Sequence, residues 1–137
     1  MATVIRAEIS EKNKYWIDKH RHYELKHFCL QYPSWKRAYA ELDGFNGRGE
    51  DLYSRSSMPG DPTSKVVEMR DLYLERMDLV RRIAFEADPD LSTYIFRAVT
   101  EGLSYTYLRT KLAMPCGRDM YYDRYRRFFW LLSNSRK

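Results

Sequence analysis

The sequence predicts an all-α fold, a helical bundle, on three observations. Apolar residues recur at steps of three and four along most of the chain. Glycine and proline gather at a few breaks. No alternating apolar and polar run of useful length marks a strand.

The first helix is expected over residues 10–31, with Ser10 as N-cap and Glu11 in the first turn, where a carboxylate meets the positive helix end. Tyr32-Pro33 should break it, because the residue before proline disfavours the α region. A short second helix runs from Ser34 to Leu42, with Trp35, Ala38, Tyr39 and Leu42 on one face. Residues 1–43 thus read as an N-terminal helical hairpin. Residues 44–61 contain four of the six glycines and read as a flexible loop.

The third helix has the clearest start. Asp61 is its N-cap and Pro62 its first residue, where the missing N–H costs nothing. Val66, Met69, Tyr73, Met77, Val80, Ile83 and Ala87 give it one apolar face, and Asp88-Pro89 ends it. Asp90 is expected to cap a fourth helix, Leu91 to Glu101, with Gly102 at the left-handed position after its end. Ser104 caps a fifth, Tyr105 to Leu112. After a short break, Ala113-Met114-Pro115-Cys116, a sixth helix runs from Gly117 to Leu132. Its inner face is Tyr121, Tyr125, Phe128 and Leu132. Its outer face is Arg118, Asp119, Tyr122 and Arg126, flanked by Arg124 and Arg127. Residues 62–137 read as a helical core in which 103–133 form a helix-turn-helix.

Charge is placed unevenly. The 137 residues carry 24 Lys and Arg against 19 Asp and Glu, net +5. Residues 1–102 hold 16 bases and 17 acids, while residues 103–137 hold 8 and 2. A basic terminal segment of net +6 on a body of net −1 is the asymmetry of a nucleic-acid binder. The major groove, about 12 Å wide, admits one helix, and Arg there can hold guanine with two hydrogen bonds. Gly117, Arg118, Asp119 and Tyr122 are placed to face bases, and Lys111, Arg124, Arg126 and Arg127 to face phosphates. The expected partner is double-stranded DNA, bound by a homodimer if the sites are paired.

The stretch EGLSYTYLRTKLAMPCGRDMYYDRYRRFFWLL, Glu101 to Leu132, resembles the C-terminal helix-turn-helix of ArpU/RinA-type late transcription regulators of Gram-positive phages, which are similar to region 4 of sigma factors. The shared pattern is a Gly-hydrophobic-Ser start, a Leu closing the first helix, a short turn, an Arg, and a Tyr-rich basic helix. Pro115-Cys116-Gly117 stands where a Ser or Thr cap is more usual. The stretch KYWIDKHRHYELKHFCLQYPSWKRAYAELDG resembles phage and mobile-element proteins of Firmicutes. The resemblance implies a phage or prophage transcription regulator in the cytoplasm of a bacterial host.

Other chemistry finds little support. Two cysteines, Cys29 and Cys116, make neither a disulfide framework nor a four-ligand zinc site. His20, Glu24 and His27 share a helix face, but with no zinc-binding spacing, and with His22 they read as surface groups. Arg118 and a helix start near Cys116 would lower its pKa, yet no histidine lies close enough in sequence to form a nucleophile pair. There is neither a P-loop nor a GxGxxG motif, so no enzyme, cofactor or metal is expected. No apolar run reaches the roughly 20 residues of a membrane span. The alternative to DNA is a protein-interaction module that inhibits or redirects host RNA polymerase or an RNA-guided nuclease through the aromatic stretch Trp16 to Tyr39.

Overall fold

The structure, a computed structural model, describes residues 11–47 and 62–136. Among them are six helices and no strand: α1 (Lys19–Leu30), α2 (Tyr32–Gly47), α3 (Pro62–Ala87), α4 (Ser92–Glu101), α5 (Tyr105–Thr110) and α6 (Arg118–Ser135). The all-α class is therefore as expected. No helix among the described residues is long and apolar enough to cross a membrane.

The chain divides into two compact units. One joins the N-terminal segment through Gln31 to everything from Val80 onward, and the other is Tyr32–Leu79. This is not the expected division into 1–43, 44–61 and 62–137. The two helices of the expected hairpin fall in different units, and α3 passes through the boundary. The expected loop begins late as well, because α2 continues through Gly47. The rest of that loop, from Arg48 to Asp61, lies outside the described residues, as do the expected caps Ser10 and Asp61.

Local chemistry sets the helix ends. Asp18, rather than Ser10, starts α1: its carboxylate accepts the His20 N–H at 3.0 Å. The residues before it form turns, with Asn13 Oδ1 accepting the Tyr15 N–H at 2.8 Å. Pro33 does not break the chain for long. Only Gln31 separates α1 from α2, and Pro33 occupies the first turn of α2, where a helix needs no N–H donor. Helix α3 keeps its expected bounds. After it, Leu91 rather than Asp90 is the N-cap of α4, with no side chain on its first N–H groups, and Asp88 holds the turn before it: Asp88 Oδ1 accepts the N–H groups of Asp90 at 2.9 Å and Leu91 at 3.2 Å. Gly102 ends α4 in the left-handed region, φ 73°, with its N–H bonded to Ala98 O, as expected.

In the larger unit α1 packs on α4 and α6, and α4 packs on both α5 and α6. The core takes Leu25, Phe28 and Cys29 from α1, Val80 and Ile83 from the end of α3, Ile95 and Val99 from α4, and Leu108 from α5. Burying each such side chain contributes about 1.5–3 kcal/mol. Residues through Gln31 and from Val80 together hold 17 bases against 10 acids, net +7. The smaller unit holds 7 against 9, net −2. There the Arg70 guanidinium lies 5.2 Å over the Tyr39 ring and donates to its hydroxyl at 3.3 Å, and Arg76 lies 5.8 Å over the buried Trp35.

Asp88 is the joint of the larger unit. Besides holding the turn into α4, its Oδ2 accepts from Arg124 Nε of α6 at 2.9 Å. Asp88→Ala removes the acceptor of two turn N–H groups and leaves a half-buried guanidinium short of its acceptor. It should lower unfolding free energy by about 2 kcal/mol. Urea unfolding followed by circular dichroism checks this, and a midpoint equal to wild type would contradict it.

Candidate functional site

The sequence places its candidate residues around the α5–α6 connection. Ser104 starts α5 as expected, its Oγ accepting the Tyr107 N–H at 3.1 Å. Helix α5 ends at Thr110, two residues before the expected Leu112. The connection to α6 then takes residues 111–117, seven rather than the expected four. Two local facts explain the difference. Ala113 is left-handed, φ 54°, which no helix can continue through. Met114 is fully buried, its N–H bonded to Leu108 O at 3.0 Å and its carbonyl accepting from Arg109. The connection is thus pinned inward by Met114.

Helix α6 is buried over a wider arc than expected. Tyr121, Phe128 and Leu132 are buried, as the inner stripe requires. Tyr122, assigned to bases, is only 7% exposed and cannot project outward. It belongs to an aromatic cluster: Tyr105 of α5 lies 5.6 Å from Tyr121 and 6.1 Å from Tyr122, and Tyr122 lies 6.1 Å from Tyr125. The signal was present in the spacing. Tyr122, Tyr125 and Phe129 stand at i, i+3, i+7, a second apolar stripe beside the first.

Several of the expected phosphate contacts are engaged within the protein. Arg124 is paired with Asp88 and Asp123, which raises its already high pKa through the hydrogen bond to Asp88. Arg127 is half-buried and donates to the Tyr15 hydroxyl at 3.2 Å. Arg126 is half-buried, with its Nε shielded from solvent. Arg124 and Arg127 thus correct the outward basic face: a half-buried cation is kept where an acceptor compensates its lost water. Lys111, Gly117, Arg118 and Asp119 remain exposed. The Arg118 guanidinium rests 4.7 Å over the Tyr105 ring, which orients it while leaving it in solvent. Gly117 is the N-cap in an extended conformation, with no side chain on the first N–H groups of α6. Tyr107 on α5 and Met120 on α6 are exposed large side chains beside these residues in sequence.

The N-terminal segment holds the other end of α6. Arg21 donates to Ser133 Oγ at 3.2 Å, to the Ser133 carbonyl at 3.2 Å and to the Arg136 carbonyl, so a cation closes the negative helix end. Tyr15 meets Trp130 at 5.7 Å between ring centres. His22, expected at the surface, is buried edge-on against Phe129 at 4.8 Å. Burial also pushes the Cys29 thiol up to about 12. At Cys116 burial raises the pKa despite the nearby Arg109, which reverses the expected activation. Among the described residues no three His, Cys, Asp or Glu side chains group as a metal site. Tyr32 and Trp35, two aromatics of the expected partner-binding stretch, are buried. No protein-family model, curated protein or solved structure matches this chain.

The His22 imidazole is lowered from 6.5 to about 4, first by burial and then by the Lys26 ammonium. The folded state holds it neutral where the unfolded chain binds a proton. Its contribution is therefore complete above pH 6.5 and is lost as pH falls through about 4, a change on the order of 3 kcal/mol. His22→Phe should show a flatter decline in stability between these two values. Unfolding curves across that range test this, and parallel declines in the two proteins would refute it.

Proposed function

We propose that this chain binds double-stranded DNA through the exposed N-terminal end of α6, as a phage or prophage transcription regulator. The observation that carries the reading is one exposed helix end, Gly117-Arg118-Asp119, on the unit whose net charge is +7. Such an end offers backbone N–H groups and the positive pole of the helix to a phosphate. Arg118, stacked on Tyr105, has the fork geometry to read a guanine edge. Lys111, exposed at the end of α5, serves the backbone. The long turn does not exclude groove insertion, because α4 packs against both α5 and α6.

The contact set is smaller than the sequence suggested. Lys111, Gly117, Arg118 and Asp119 stay in it; Tyr122, Arg124 and Arg127 hold the fold instead. Fluorescence anisotropy on a duplex across a salt series tests the proposal. Lys111→Ala with Arg118→Ala should weaken binding about tenfold or more and lower the salt slope by about two. The reading fails if the wild-type protein does not bind duplex at low salt, or if the double variant binds as tightly with the same slope.

A further inference from the structure

Helix α3 carries a second stripe that the fold leaves exposed. Val67, Asp71, Leu74, Asp78, Arg81 and Phe85 step by four, three, four, three and four residues, the seven-residue spacing of a helix-pairing seam. At 100° per residue they fall within an arc of about 80°. All six are exposed: Val67 is 41%, Leu74 40% and Phe85 59% exposed, and the three charged side chains are exposed too. Phe85 sits among Arg81 and Arg82, and Arg81 leans 5.9 Å over the Phe96 ring while staying in solvent. The stripe lies on one continuous helix, so its common face is set by the helix's own period.

We infer that this stripe pairs with the same stripe of a second copy of the chain, antiparallel, across a two-fold axis level with position 76 on the stripe's side of the helix. The order of residues argues for a copy and for this direction. In the antiparallel register Val67 faces Phe85, Asp71 faces Arg81 and Leu74 faces Asp78, and the two-fold repeats each layer. Two aliphatic–aromatic contacts and two opposite-charge pairs result. Parallel pairing would set Asp71 on Asp71 and Arg81 on Arg81, like against like. The six positions are symmetric about position 76, so in the antiparallel register each seam position faces another seam position. The Leu74–Asp78 layer is a poor one, so association is concentration-dependent. The pairing is independent of the DNA reading.

Sedimentation equilibrium over a concentration series tests it. Wild type should move from 16.5 kDa towards twice that mass as concentration rises. Asp71→Arg alone and Arg81→Asp alone should each stay at the single-chain mass, because each sets like charges across the axis. An equimolar mixture of the two variants should recover the double mass, since both charged pairs are then complementary. Recovery also shows that both variants are folded. A wild type that stays monomeric throughout, single variants that still associate, or a mixture that stays monomeric would each overturn the inference.

Discussion

The placement of α6 is the constraint on which the larger unit depends. Tyr121, Tyr122, Phe128, Phe129 and Leu132 are all buried along one helix. At about 1.5–3 kcal/mol per large side chain, this is the largest single block of apolar burial in the unit. Everything near it is arranged to hold that block. Helix α1 covers one side through His22 and Phe28, α4 another, and Tyr105 closes the aromatic cluster from α5. Asp88 ties the start of α4 to Arg124, and Arg21 closes the C-terminal carbonyls. A helix held along its length and at its far end has only its first turn left to offer a partner. That is why the exposed candidates cluster at Gly117, Arg118 and Asp119.

Counting charge along the chain and counting it in the fold lead to different pictures. The C-terminal excess of bases looked like an outward face. In the structure Arg109, Arg124 and Arg127 are occupied with a carbonyl, carboxylates and a phenol, while the Arg136 guanidinium rests 3.9 Å over Phe28. The cause is the aromatic wealth of α6. A helix buried over most of its circumference carries its arginines at the edge of the core, where they lose water and take internal acceptors. The fold also returns charge from elsewhere. The N-terminal segment, with Lys12, Lys14, Lys19 and Lys26 exposed, belongs to the same unit, so that unit is more basic than the C-terminal segment alone.

Much of the local structure was legible in the sequence, and the reason is chemical. Pro62 and Asp88-Pro89 bound α3, Ser104 starts α5 and Gly102 ends α4 because each acts on its immediate neighbours. Errors arose where two local signals competed or where distance in the chain mattered. Ser10 and Asp18 are both good caps, and the turn made by Asn13 favours the second. Pro33 reads as a breaker but is harmless in a first turn. That α1 belongs with α6, more than a hundred residues away, rests on Arg21, His22 and Tyr15 finding Ser133, Phe129 and Trp130. No spacing rule reports such a pairing. For the candidate site, Arg118 and Lys111 were legible as exposed bases, whereas the burial of Tyr122 required counting a second stripe.

Helix α3 shows the same limit in its sharpest form. It bears two stripes that step by three and four residues, and period alone ranks them equally. Met77, Val80, Ile83 and Ala87 on the first are buried. Val67, Leu74 and Phe85 on the second are exposed, about 140° around the helix from it. Composition distinguishes them. The buried run is apolar at each step, whereas the exposed one mixes apolar residues with Asp71, Asp78 and Arg81. Three charges in a row of six suit a core poorly, but they suit a surface that closes only against a complementary surface. Charge at seam positions is thus what keeps this stripe out of the protein's own core, and its sign pattern restricts which surface can cover it.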